Sequence, residues 1–371
     1  MKNLDLSDEY IQLHKIVETY NQNLLKKSLF MANYSKSQFP KLNNIPIFHN
    51  VTGLINLRLK DWEQSINNFE NAIKIDSNFV EAYYNLGLVH FDIGNLEQSY
   101  NLLVTAINLK KDYKKARNKI IELLSFYRPK NTSDHYIADL NEKIKKTPYN
   151  IDFSIKISDE QINDYYNRCK KLVKENLNDL SYNKYQIFRR KDVFLNCERH
   201  KGIFSEYNTI PKYCFDCFKV VIKSKNIFDL IKVSLIFDQV SYFSNFNRKS
   251  MVDKRYGDIS FQSLIYCSSV EQVCEVEKNT NNILNKIVDS NIFIESKRGC
   301  SEFALSYPNY KQIYKEKSKL MKYPKEWKKN EKKFDEENLK DNSDEKTRII
   351  HNTIIGGSLN NFLVINNWLN N

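Results

Sequence analysis

The chain has 371 residues, with 57 Lys or Arg against 45 Asp or Glu, a formal net charge of +12, 41% hydrophobic and 13% aromatic residues. That length suggests two or three domains, each able to bury a core; 27% charged residues beside the aromatic content exclude a disordered chain, and 8 Gly with 7 Pro exclude collagen-like or low-complexity sequence. Of the basic residues 46 are Lys and 11 Arg, so compositional bias accounts for the charge better than a polyanion site, which would favour the phosphate-chelating guanidinium.

The first residues, MKNLDLSDEYIQLHK, lack the apolar stretch and small-residue cleavage site of a secretory signal. The longest apolar runs, such as 230–237, are broken by Lys and Asp and fall short of a membrane span. A soluble, cytoplasmic protein with no membrane partner is expected. Seven cysteines, an odd number, read as reduced thiols or metal ligands rather than a disulfide framework.

Residues 10–37 carry one or two amphipathic helices ending at Phe39-Pro40, so 1–45 is expected to be a helical cap or degenerate repeat. Over 46–112 the chain repeats itself. Gly53 and Gly87, the Glu-Gln-Ser triplets from Glu63 and Glu97, and Ala72-Ile73 and Ala106-Ile107 all recur at an offset of 34. Apolar spacing predicts helices over 47–60, 62–75, 80–93 and 96–109, with Lys-Asp and Gly-Asn turns inside each pair. Small residues (Gly53, Gly87, Ala72, Ala106) allow close helix crossing, with Phe69 and Leu103 filling the space beside them.

These two units resemble the tetratricopeptide repeat (TPR) superfamily, whose 34-residue unit is a helix–turn–helix. Gly53 and Gly87 match its first-helix glycine, Ser65 and Ser99 its small second-helix position, and Ala72 and Ala106 its late alanine. Tyr83 stands in place of the usual Trp, and Ser77 and Lys111 replace the end-of-repeat proline. The resemblance implies an α-helical hairpin array that binds a peptide or partner protein in its concave face. By its register that groove is lined by Asn50, Leu54, Tyr84, Asn85, Leu88, Phe91, Lys115 and Lys119. In TPR domains that clamp the C-terminal carboxylate of chaperone tails, five positions carry Lys, Asn, Asn, Lys and Arg; the matching residues here are Asn50, Leu54, Asn85, Lys115 and Lys119. Since stacked repeats need about three units for stability, residues 113–150 are expected to supply a degenerate third repeat or capping helices, from 114–127 and 135–146.

From 151 to 310 the pattern changes to an α+β domain, giving an α+β multidomain chain. A helix over 159–175 precedes the spacing Cys197-x2-His200-x13-Cys214-x2-Cys217. Two short-spaced pairs about a dozen residues apart suit tetrahedral Zn²⁺, and three thiolates with one imidazole fill all four positions, as a structural site requires. Zinc bound by Cys197, His200, Cys214 and Cys217 is therefore expected, set against a CxxC redox pair and against cysteines that are merely small buried residues. Strands are predicted over 218–223, 261–267 and 292–296, and helices over 227–238 and 270–288. Nucleotide-binding glycine motifs and the HExxH and GxSxG signatures are absent.

The loop after the last strand holds Arg298, Cys300 and Glu302, a possible anion-binding or active-site loop at a strand end. Residues 311–371 form a charged extension: 311–348 holds 13 basic and 9 acidic residues and reads as an exposed helix and solvated linker, and 359–369 as a terminal helix docking on the body or a partner. Three functions compete: a TPR adaptor with a zinc-stabilised second domain; a transferase in 158–310, which requires Arg298, Cys300 and Glu302 to meet the cysteine cluster in one pocket; and RNA binding through Lys184, Tyr185, Phe188, Arg189, Arg190 and Lys191, aromatic and basic residues interleaved. The adaptor leads. For the last segment ordinary amphipathic packing is the preferred reading.

Overall fold

The computed structural model describes residues 7–177, 179, 181–191, 197–253, 259–288, 292–311, 313, 320–338, 353–354 and 356–370. It divides into two compact units, one ending at Leu123 and the other beginning at Leu124. The expected linker beyond Asn338 lies outside the described residues.

The first unit is all helix: α1 (Ser7–Asn21), α2 (Leu25–Gln38), α3 (Pro46–Arg58), α4 (Trp62–Ile75), α5 (Val80–Asp92), α6 (Leu96–Leu109) and α7 (Lys114–Leu123). Helices α3 and α4, and α5 and α6, form hairpins, and α3, α5 and α7 are successive neighbours. The 34-residue offset reappears as identical contacts. Ser65 Oγ donates to Gly53 O at 2.9 Å, and Ser99 Oγ donates to Gly87 O at 2.7 Å. Each serine thus satisfies its own hydroxyl at the crossing, where an unpaired buried donor would be costly. The turns repeat too: Lys60 and Gly94 take positive φ (60° and 88°), each ending a first helix in the left-handed conformation common at helix C-termini.

Close approach is what the glycine provides. A Cβ built on Gly53 would stand 2.7 Å from the Phe69 ring, which is fully buried. The apolar stripe of α1 to α3 packs into one core around Ile16, Leu42, Phe48 and Ile55, and Phe69, Leu86, Val89 and Leu102 form the next. Each core is shared between hairpins, as stacked repeats require.

The second unit begins with α8 (Tyr136–Lys146) and α9 (Asp159–Asn176). Helix α8, expected from sequence beside 114–127, packs on α9 and on the terminal helix α17 (Leu359–Leu369). Five strands follow: β1 (Gln186–Arg189), β2 (Phe218–Ser224), β3 (Arg248–Asp253), β4 (Ser260–Cys267) and β5 (Phe293–Arg298). They form one antiparallel sheet in the order β1-β3-β4-β2-β5. Between them lie α10 (Cys197–Tyr207), α11 (Lys212–Phe215), α12 (Ile227–Gln239) and α13 (Val270–Ile287); α14 (Ser301–Ser306), α15 (Pro308–Lys311) and α16 (Lys325–Asn338) follow β5.

Helices α12 and α13 cover one sheet face, which presents Val220, Ile222, Ser263 and Ile265, all fully buried. Strand alternation puts the neighbours of these residues on the opposite face. Strands β1 and β3 escape a sequence reading because three of their covered-face positions, Arg189, Arg248 and Ser250, are polar. Arg189 and Arg248 are cross-strand partners on that face, and the Arg189 guanidinium bonds both carboxylate oxygens of the buried Asp238 on α12. Burial pulls Arg248 down to about 10, with Asp238 opposing and Arg189 adding to the depression.

The charged extension is also more anchored than its composition suggests. Trp327 of α16 is buried with Phe215, Phe303 and Tyr310, and Arg199 pairs with Glu331 and Asp335 of the same helix at 3.3 and 2.6 Å. That helix is not the freely exposed one expected from sequence.

The Gly53 crossing carries a prediction. Gly53→Val should destabilise the helical unit by about 2 kcal/mol or more through overpacking, read as a lowered urea midpoint of the far-ultraviolet signal. Phe69→Leu introduced in the same chain should recover part of the loss, since the two positions are in contact. An unchanged midpoint would contradict the close crossing.

Candidate functional site

Successive first helices present one continuous face. Asn50 on α3 and Asn85 on α5 are both buried, and Asn85 Nδ2 donates to Asn50 Oδ1 at 2.8 Å. The bond joins adjacent first helices at positions 35 residues apart, one off the 34-residue repeat. Lys119 of α7 holds its ammonium 3.5 Å from the centre of the Phe91 ring and 3.6 Å from Glu122. Tyr84 meets Tyr113 edge to face at 5.5 Å, and burial followed by the Glu122 charge raises its hydroxyl above the ordinary tyrosine range. Leu54 and Leu88 are half-buried, and Lys115 is exposed. The arrangement offers amide, aromatic and cationic groups in a row.

Residues 53–94 match a family model described as TPR repeat, and residues 80–113 one described as tetratricopeptide repeat. The N-terminal region belongs to the TPR superfamily. Among solved structures, the first TPR of Spaghetti (RPAP3) bound to an HSP90 peptide is 14% identical, covering 33% of this chain and 96% of that one at a TM-score of 0.30. The Arabidopsis OM64 TPR domain is 15% identical, covering 32% and 95% at 0.30. The Sgt2 TPR domain from Aspergillus fumigatus is 15% identical, covering 33% and 78% at 0.29. No curated protein matches the chain. No helix among the described residues is long and apolar enough to cross a membrane.

Beyond the TPR region, the second unit holds a cleft of about 1190 Å³ above the uncovered sheet face. Its floor is the alternate set of strand residues, including Phe188, Lys219, Lys249, Met251, Leu264 and Tyr266. One wall comes from His200, Lys201 and Phe204 of α10 with Tyr213 and Cys214 of α11; Cys300, Ser301 and Glu302 form another, and Trp368 closes one end. Trp368 is held by its indole N–H donating to Tyr185 O at 2.9 Å. Lys219 was invisible as a site residue in the sequence, although strand alternation does put it on the same side as Cys217. Its ammonium, buried, donates to Gly299 O at 2.9 Å and lies 3.6 Å from Cys300 Sγ. Burial works against that charge, and Cys217, Cys300, Tyr266 and Cys214 outweigh burial, so its pKa is raised.

The zinc expectation is overturned. Among the described residues no group of three or more His, Cys, Asp or Glu side chains could hold a metal. Cys197 lies on α10, with its side chain outside the described residues. Cys214 Sγ instead contacts His200 Nδ1 at 3.1 Å. Burial, then the Arg199 charge, pushes His200 down to about 4, with Asp335 opposing, so its imidazole is neutral at pH 7. In the cleft that Cys214 and Cys217 line, a dication would also meet the buried Lys219 ammonium. Among the described residues, Cys169, Cys214, Cys217, Cys267, Cys274 and Cys300 are thiols outside any disulfide.

The strand-end loop is split by the fold. Cys300 and Glu302 line the cleft with Cys214 and Cys217. Arg298 does not line it: its Nε donates to Phe215 O at 2.8 Å and its guanidinium lies 4.0 Å from the Phe215 ring centre, with the residue buried. Gly299 is fixed by backbone need, since at φ 59° a Cβ would run into the Tyr310 hydroxyl. The basic-aromatic segment is likewise divided. Tyr185, Phe188 and Arg190 line the cleft, the Arg189 side chain is taken by Asp238, and Lys184 and Lys191 are exposed outside it.

Elemental analysis of the purified chain should therefore find well under one-tenth equivalent of zinc, an order-of-magnitude expectation for a site with no ligand cluster, and chelator should leave the melting temperature unchanged. A stoichiometric zinc lost on Cys214→Ser would contradict the correction.

Proposed function

We propose that this protein is a TPR scaffold that holds an extended peptide segment of a partner protein across the first-helix face, against Asn50, Leu54, Tyr84, Asn85, Leu88, Phe91, Lys115 and Lys119. The observation that carries the reading is the Asn85–Asn50 amide bond on adjacent first helices. A buried amide pair that joins adjacent first helices keeps an acceptor and a donor on the inner face, and an extended strand with unpaired backbone groups can use both. The rings of Tyr84 and Phe91 and the half-buried leucines supply apolar contact beside it.

A clamp for a terminal carboxylate is less well supported than an extended-chain groove. Asn85 Nδ2 is committed to Asn50, and Lys119 is shared between Phe91 and Glu122, so two of the three groups that fit the clamp pattern are engaged within the protein, while Lys115 is exposed. The transferase reading draws support from the meeting of Cys300 and Glu302 with Cys214 and Cys217 in one cleft, and loses it from Arg298, which is packed against Phe215 instead.

Affinity selection of a random peptide library on the full chain, followed by anisotropy titration of the selected sequences, tests the groove. Tyr84→Ala combined with Lys119→Glu should weaken selected peptides at least about tenfold, as loss of an aromatic anchor and a reversed charge at a recognition face does. Amidating the peptide C-terminus should change affinity little. Undiminished binding by the double variant would remove the groove assignment.

A further inference from the structure

The cleft over the sheet carries a function that the peptide groove does not account for. Setting aside Arg189 and Arg248, which lie on the covered face with Asp238, the lining cations are Arg190, Lys201, Lys219, Lys249 and Lys297, and the lining carboxylates are Asp253 and Glu302. Five against two leaves the cleft at 5 − 2 = +3. These cations are interleaved with rings. Lys249 and Arg190 lie 5.1 and 5.3 Å from the centre of Phe188, and Lys219 lies 5.4 Å from the centre of Tyr266. Phe188 and Tyr266 are half-buried on the uncovered face of β1 and β4, and Tyr185 at the rim is 45% exposed.

We propose that the uncovered face of this sheet binds a short single-stranded polynucleotide. A ring that stands next to a fixed cation is the pair such a strand uses: the base stacks on the ring and the neighbouring phosphate meets the cation. An antiparallel sheet that presents aromatic side chains on one face offers platforms for unstacked bases, and here Phe188 and Tyr266 stand on β1 and β4, the two strands that flank β3. Size agrees. About 1190 Å³ exceeds the roughly 300–1,000 Å³ of pockets for single small ligands, so an occupant of several units fits better than one nucleotide. An acidic peptide would satisfy the charge and leave Phe188 and Tyr266 without a planar partner.

Phe188 is the stacking platform, and Lys201 and Lys249 contact phosphates. The test is anisotropy titration of the full chain with labelled oligo(U) and oligo(dT) of about twelve nucleotides, the same length of duplex and a twelve-residue polyglutamate peptide, across a salt series. Either single strand should bind, with log K falling on log salt at a slope of about −2 to −4. A preference for oligo(U) would identify RNA as the source and equal binding would identify a reader of either strand. Phe188→Ala should weaken binding about tenfold and Phe188→Tyr should retain it, which separates stacking from a folding defect. Lys201→Glu should reduce the slope by about one unit, whereas Lys26→Glu, on the other unit, should leave it unchanged. No binding of either strand at about 50 mM salt, equal affinity for duplex or polyglutamate, or undiminished binding by Phe188→Ala would each overturn the proposal.

Discussion

A guanidinium taken out of water requires a counter-charge, and in the second unit that requirement sets the sheet. Arg189 and Asp238 are both almost wholly buried and bonded through two nitrogens and two oxygens. Truncating one partner of such a pair leaves an uncompensated buried charge at a cost of about 3–5 kcal/mol, so β1 cannot slip by one residue without losing it. Alternation then dictates the rest. With Arg189 inward, Phe188 must face the open side, and the β1–β3 register that pairs Arg189 with Arg248 sets Phe188 opposite Lys249. One buried ion pair thus sorts a basic and aromatic run into a structural half and a cleft-facing half.

In the TPR region the governing contact is steric rather than electrostatic. The same serine-to-glycine carbonyl bond occurs at both crossings, and the absence of a side chain at Gly53 admits the Phe69 ring. Close hairpins place α3, α5 and α7 side by side, and that adjacency creates the Asn50–Asn85 bond across repeats. The inner face is therefore a consequence of the small residues on the crossing face.

How much of this could be read from sequence follows from which signals survive in one dimension. A 34-residue offset shared by Gly, Ser and Ala is visible because each repeat must solve the same crossing, and helices α3 to α6 fall within two residues of their expected bounds. Strands β2, β4 and β5 and helices α12 and α13 were legible through apolar runs. Strands β1 and β3 were not, because Arg189, Arg248 and Ser250 occupy positions where alternation would call for apolar residues, and their partners, Asp238 and Ser263, lie 49 and 13 residues away. The zinc expectation failed for a related reason. Spacing counts residues and ignores direction: His200 and Cys214 do meet, but the described residues bring no third ligand to them. Arg298 misled as a strand-end charge because nothing local signals that Phe215 and Tyr310 will enclose it.

Two units with two separate binding surfaces is the central claim, and amide hydrogen exchange on the full chain tests it most directly. With a selected peptide, protection should rise in 46–58, 80–92 and 114–123; with oligo(U), it should rise in 186–189, 248–253 and 260–267. Protection of the same segments by both ligands, or protection by oligo(U) confined to the Lys-rich helices outside the sheet, would contradict it.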